Sequence, residues 1–325
     1  MAENRVDLNQ HRWDQSTFLG RLKHFFWVTD YRTVVLPNSR LEEAKVLLEQ
    51  YRKGEEPPGT TEDDVWYAKK LFESAFHPDS GELQNVIGRM SFQVPGGMLI
   101  TAGMMTFYKS NGAVVLWQWI NQSFNALVNY TNRNAASDLT TKQMAIAYVS
   151  ATSSALVTAL GLKAALAKRA SPLLQRFVPF AAVAAANMVN IPLTRQSEIF
   201  EGVKCMDANG NEVTHSKTAA AKGISQVVFS RIAIATPGML GLPFLMEALE
   251  KRPWFARYPV INMPFQTFML GCVLTFMVPV GCALFPQKCS IKTDSLKMWE
   301  RDAFEDIKKR FGGDYPDVLY FNKGL

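Results

Sequence analysis

Four long apolar stretches constrain the fold of this chain more than any other feature. Met144 to Leu162 is alanine-rich and uncharged, and Val260 to Phe285 is long and uncharged. Phe177 to Leu193 is apolar apart from Asn187 and Asn190. Ile224 to Met246 is apolar apart from Arg231 and a few hydroxyl and amide groups. Each approaches or exceeds the roughly 20 residues that cross a bilayer core. Four such stretches joined by short polar loops predict an all-α, polytopic helical membrane protein rather than a large soluble bundle. The mean hydropathy of −0.04 hides them, because residues 1–90 are polar.

A second feature suggests what the membrane part handles. Wound as a helix at about 100° per residue, Trp117–Arg133 places Gln118, Asn121, Gln122, Asn125, Asn129 and Asn132 in one sector. Trp117, Trp119, Ile120, Phe124, Leu127 and Val128 take the rest. Carboxamides donate and accept hydrogen bonds without charge. Such a ladder suits a small zwitterionic solute better than an ion or a lipid. The competing role is to hold helices together, but six amides exceed what packing needs.

The segment leading into the ladder admits two readings. Val94 to Tyr108 is apolar but short and holds Pro95, Gly96, Gly97 and Gly103; Lys109-Ser110-Asn111-Gly112 interrupts it. A single span from about Gly97 to Trp119 is favoured, which gives about five spans in all. The alternative is two half-spans meeting at Gly112, a transporter device that frees helix ends to bind solute.

Charge bears on orientation. Residues 1–90 carry 12 Lys/Arg against 15 Asp/Glu, a net of −3; the rest carry 23 against 14, a net of +9. The loop after the second span holds Lys163, Lys168, Arg169 and Arg176, and that after the fourth holds Lys251, Arg252 and Arg257. The loop after the first has Arg133 and Lys142 beside Asp138. The positive-inside rule places the second and fourth loops inside, and with five spans the N-terminal region too. The basic excess is thus explained without nucleic acid, for which no aromatic-basic module is visible.

Residues 1–93 read as an N-terminal soluble helical region, 94–288 as the transmembrane bundle and 289–325 as a C-terminal tail. Ser39 with Glu42 forms a capping-box pattern ahead of an amphipathic run ending near Arg52. Pro57-Pro58-Gly59 breaks the chain, and Thr61 with Asp64 caps a second helix through Phe76. Its stripe of Val65, Ala68, Leu71, Phe72 and Ala75 packs locally or on the bundle. The N-terminus has no apolar core and is not Arg-rich and acid-poor, so it predicts neither a secretory signal nor a cleaved presequence. Asn121-Gln-Ser and Asn129-Tyr-Thr are chance glycosylation matches on the ladder.

Further polar groups sit within the spans. Asn187 and Asn190 are three apart; Ser150, Ser154 and Thr158 are four apart, as are Gln226 and Ser230. Polar side chains at membrane depth face the bundle interior, as helix glue or as a solute path. Thr236-Pro237-Gly238 predicts a kinked or opened helix whose freed carbonyls suit an ammonium group. Arg231, or Arg195 after the third span, suits a carboxylate, or anchors its helix at the interface. The candidate substrate-binding residues are therefore Gln118, Asn121, Gln122, Asn125, Asn129, Asn187, Asn190, Arg231 and Thr236.

Catalysis is not indicated. There is no phosphate loop, no nucleophile–base spacing and no intramembrane carboxylate pair, and no cofactor is implied. Cys205, Cys272, Cys282 and Cys289 form no CxxC pair and read as small apolar residues. His11, His24, His77 and His215 show no metal-ligand spacing. The turn His77-Pro78-Asp79-Ser80-Gly81-Glu82 is read as structural before functional.

Several motifs together resemble the sideroflexins. They are Arg12-Trp13-Asp14-Gln15-Ser16-Thr17-Phe18, the His77–Glu82 turn, the Trp117–Arg133 ladder, Arg176 to Asn187, and the terminal Tyr320-Phe321-Asn322-Lys323-Gly324-Leu325. The similarity covers essentially the whole chain, and Met90–Met98 looks nearest to the family's second branch. Tyr31, Ser80 and Met188 depart from the family pattern without touching the ladder.

The resemblance implies a mitochondrial inner-membrane protein with five spans and no cleaved presequence. It implies transport of serine, and of alanine or cysteine, into the matrix for one-carbon metabolism, with a link to iron and haem homeostasis in the second branch. With no nucleotide chemistry, the expected mechanism is facilitated diffusion or exchange. The expected partners are a small amino acid, the lipid bilayer and inner-membrane proteins. The competing readings are a non-transporting scaffold for inner-membrane complexes and a contributor to iron or haem handling.

Overall fold

A computed structural model describes residues 5–77, 80–132, 140–166, 172–312 and 315–324. In chain order, α1 (Phe18–Val28), α2 (Asn38–Lys53) and α3 (Glu62–Ala75) come first, then α4 (Gln93–Phe107) and α5 (Asn111–Thr131). Next are α6 (Thr141–Leu166), α7 (Pro172–Gln175), α8 (Val178–Thr194) and α9 (Gln196–Glu201). The strands β1 (Val203–Met206) and β2 (Glu212–Ser216) follow. α10 (Lys217–Thr236) continues through a π-turn at Pro237–Gly241 into α11 (Leu242–Glu250). α12 (Pro253–Ala256), α13 (Asn262–Ala283), β3 (Lys288–Lys292), α14 (Thr293–Trp299), α15 (Arg301–Phe311) and β4 (Val318–Asn322) complete the chain. Arg133, Asp138, Lys168, Arg169 and the Pro78-Asp79 pair of the predicted turn lie outside the described residues.

The chain is predominantly helical, as predicted. Among the described residues, three helical segments are long and apolar enough to cross a membrane: Thr141–Leu166, Lys217–Glu250 and Pro259–Ala283. The apolar α8 is shorter, at 17 residues. The expected single span from Gly97 to Trp119 does not form. α4 ends at Phe107, and Ser110 is extended, with its Oγ accepting from Ala113 N at 3.1 Å. That N-cap starts a new helix.

Two compact units divide the chain, Met1–Ser137 with Pro237–Ala283, and Asp138–Thr236 with Leu284–Leu325. In the first unit α2 packs on α3. Leu41, Ala44 and Leu48 meet Val65, Ala68, Leu71 and Ala75, so the predicted stripe on α3 packs locally. The predicted capping box on α3 is present in both directions, Asp64 N to Thr61 Oγ1 at 3.2 Å and Thr61 N to Asp64 Oδ2 at 2.9 Å. The expected box at Ser39 is not: α2 begins at Asn38, two residues earlier than a Ser39 cap would set it, behind Pro37, which offers no side-chain cap. α1 lies on α13, where Phe26 meets Phe276 edge to face at 5.9 Å. The buried Arg21 donates from Nε to Ala283 O at 2.9 Å and from Nη1 to Gln15 O and Ser16 O. A cation there satisfies the carbonyl end of α13.

The second unit pairs α6 with α8 along small residues. Ala147, Ala151, Ala155 and Ala159 are fully buried at a spacing of four, and so nearly are Ala182 and Ala186. Small side chains let two apolar helices approach closely where lipid removes the hydrophobic drive between them. The unit also holds a four-stranded antiparallel sheet in the order β2-β1-β4-β3, which the sequence reading did not anticipate. Its β1–β2 turn is built on Asp207, whose Oδ1 accepts from Asn209 N and Asn211 N at 2.8 Å, and on Gly210 at φ 86°. Cys205 and Cys289 are buried in the core under the sheet with Leu296, Ile307 and Phe321. Burial pushes the Cys205 thiol up to about 12, so it packs as an apolar group.

Candidate polar site in the α4–α5 hairpin

α4 and α5 form an antiparallel hairpin. Phe107 stacks on Trp117 at 6.1 Å, Gly103 meets the Trp117 ring, Gly96 meets Phe124, and Gly88 meets Thr131. A Cβ on Gly103 would fall 2.0 Å from Trp117 Cη2, so only glycine admits the indole. These pairs run in opposite directions along α5 and the Gly88–Phe107 segment at nearly constant register, and together they zip α5 onto α4 and the turn before it.

The zipping sets which face of α5 turns inward. Gln118 and Gln122 are buried, at 0% and 2% exposure, in line with Val114. Asn121, Asn125 and Asn129 are half-buried in the same sector. Val115, Leu116, Trp119, Leu127 and Tyr130 are exposed. The helix is therefore polar inward and apolar outward, the reverse of a helix facing water and the order expected beside lipid.

The amides are not used up by their neighbours. Gln118 Nε2 donates to Tyr108 Oη at 2.6 Å. Among the described residues, Gln118 Oε1, Asn121 Nδ2 and Gln122 Nε2 are buried without a hydrogen-bond partner, as are Gln93 Nε2 and Thr106 Oγ1 on α4. Each such atom costs about 1–3 kcal/mol relative to a satisfied one. Five along one hairpin amount to a standing offer of donors and acceptors to a polar solute. The last rung behaves differently. Asn132 donates from Nδ2 to Gly88 O and Val128 O, and its Oδ1 accepts from Gln84 Nε2 at 2.9 Å. It is helix glue. Gln93, Thr106 and Tyr108 were not read from sequence as site residues; their apolar surroundings carried no periodic polar signal.

The remaining candidates belong to the second unit or its boundary. Asn190 is buried on the α8 stripe with Val178, Ala182 and Ala186. Asn187 is half-buried and donates from Nδ2 to Val183 O within its own helix at 3.1 Å. Arg231 is half-buried. The predicted opening at Thr236-Pro237-Gly238 is present as the π-turn. Pro237 cannot donate to the preceding turn, and the Thr236 hydroxyl meets Ile232 O at 2.8 Å. Arg195 is an anchor. Its guanidinium pairs with Glu198 and donates from Nη1 to Lys323 O at 2.7 Å, with Gly324 packed against it. It holds the conspicuous C-terminal residues rather than presenting a free cation. In the same unit, Glu300 receives Lys217 N at 2.8 Å and Thr218 N at 3.0 Å, placing a carboxylate at the N-terminus of α10. Two open clefts, of about 490 and 340 Å³, lie beside the sheet and involve none of the candidate amides.

A family profile described as "SFXNs: Sideroflexins" matches residues 7–325. The chain is 58% identical to Sideroflexin-2 of Drosophila melanogaster over 320 residues, and 54% identical to Sideroflexin-2 of Homo sapiens over 319, each comparison covering 98% of both chains. It is 51% identical to Sideroflexin-1 of Homo sapiens over 322 residues, again covering 98% of both. No solved structure matches the chain.

Proposed function

The chain belongs to the sideroflexin family, and on that premise we propose that it carries small neutral amino acids across the mitochondrial inner membrane. The observation that carries this reading is the inward row of Gln118, Asn121 and Gln122, in which Gln118 Oε1, Asn121 Nδ2 and Gln122 Nε2 are buried without a partner among the described residues. A zwitterion brings a carboxylate that seeks donors and an ammonium group that seeks acceptors. Carboxamides supply both without a net charge that would favour an anion or a cation alone. Serine adds a hydroxyl, which such a row also satisfies, so serine is the preferred substrate, with alanine and cysteine as poorer fits.

Gln118, Asn121, Gln122, Asn125 and Asn129 contact the solute in this proposal. Asn187, Asn190, Arg231 and Thr236 form a second set of polar positions for it. Transport is facilitated diffusion or exchange and delivers serine to the matrix for one-carbon metabolism. The division at residues 93 and 288 is kept as a functional one, with the helices between them forming the carrier. The basic loops after α6 and α11 face the matrix; α13 then runs to the opposite side, where Arg21 of α1 meets Ala283 O, so the N-terminal region lies on that opposite side and not in the matrix as five spans would have it.

The test is uptake by the full chain reconstituted in liposomes. Labelled serine should enter saturably, and unlabelled alanine or cysteine should compete, while glutamate and arginine should not. Failure to take up any neutral amino acid, in protein that inserts normally, contradicts the reading.

A further inference from the structure

We propose that His11, His24 and Glu73 form a binding site for a borderline divalent cation of the Zn²⁺ type, outside the membrane helices. The three residues are far apart in sequence and meet because α1 packs beside α3. Each offers one ligand atom, and these atoms all lie within 4.8 Å of one another. His24 Nδ1 and Glu73 Oε2 face each other at 4.0 Å. Both atoms are buried, and neither has a hydrogen-bond partner among the described residues. The His11 ring lies edge-on to His24 at 5.0 Å and is exposed, so the group opens to solvent on its side.

Two imidazole nitrogens and one carboxylate oxygen suit Zn²⁺ and its neighbours, whereas Mg²⁺ and Ca²⁺ prefer all-oxygen sets. Ligand atoms of a tetrahedral zinc site stand about 3.4 Å apart, from metal–ligand bonds of about 2.1 Å. Binding would draw the 4.0 Å pair together by about 0.6 Å, and atoms up to 4.8 Å apart by about 1.4 Å. Water would complete the coordination on the open side.

Lys69 is the group that opposes a cation here, and its position limits the opposition. Its Nζ donates to Leu8 O and Gln10 O and stands 3.7 Å from Glu73 Oε1. Those backbone contacts hold the segment that carries His11 over α3. Lys69 takes one carboxylate oxygen and leaves Oε2 toward the histidines. A bound ion would pin the N-terminal segment to α1 and α3. The inference does not depend on the transport reading.

Purified full-length protein titrated with Co²⁺ tests it. Trp27 lies 6.3 Å from His24, and Trp13 and Trp66 pack on Trp27, so a bound Co²⁺ ion quenches part of the tryptophan emission. The expected result is saturable quenching with a Co²⁺ visible absorption band, both reversed by Zn²⁺. His11→Ala, at an exposed position, and Glu73→Gln should each weaken binding by about tenfold or more, with helical circular dichroism unchanged. Absence of saturable Co²⁺ binding in the wild type, or wild-type binding by His11→Ala, overturns the proposal. If Glu73→Gln fails to fold, the His11→Ala comparison decides alone.

Discussion

Gln118 reaches back across the break between α4 and α5 and donates from Nε2 to the phenol oxygen of Tyr108 at 2.6 Å. The bond fixes the side chain and leaves Oε1 buried without a partner among the described residues. Tyr108→Phe should free the amide without removing it. The variant should insert normally and show a higher KM for serine with a smaller change in maximal rate, read from uptake at graded serine concentrations.

Gln122 separates stability from function. Its Nε2 is buried and unpartnered, so Gln122→Leu removes a desolvated polar atom at similar volume. Unfolding in detergent should show the variant as stable as the wild type or more so, by about 1–2 kcal/mol. Uptake should fall sharply in the same variant. A loss of stability would mean that the amide is consumed by packing.

Gly103 admits Trp117. Gly103→Val should destabilise the hairpin by about 1–3 kcal/mol through overpacking, and should shift the Trp117 emission. Gly112, which meets nothing within 4 Å, should accept alanine without either effect.

Much of this was legible from local pattern. The long apolar segments, the Thr61–Asp64 cap and the inward amide face follow from composition and a 3.6-residue period, which depend on near neighbours. The hairpin was visible only as an alternative, because Lys109-Ser110-Asn111-Gly112 suits a membrane interface as well as a turn. The sheet was missed because its strands are short and β1 pairs with β4 at the far end of the chain. The convergence of His11 and Glu73 on His24 is likewise a product of helix packing that no spacing rule records.

Two carboxylates set an acid limit. Burial raises Asp30, but hydrogen bonds from Arg32 and Lys70 outweigh it and hold the group well below the usual carboxylate range. Burial also raises Glu300, and bonds from Ser216, Thr218 and Lys217 again win and lower it. A folded value below the unfolded one gives stability that is present above the ordinary carboxylate range and is lost as pH falls through the folded value. Melting temperatures measured from neutral to acid pH should drop, and Glu300→Gln should flatten part of that drop while lowering stability at neutral pH.

The account turns on whether the inward amides handle the solute. The most direct measurement is serine uptake by liposomes carrying Asn121→Ala with Asn125→Ala, matched to wild type for inserted protein and for helical content. The account predicts that saturable uptake disappears while insertion persists. Uptake equal to that of the wild type would contradict it.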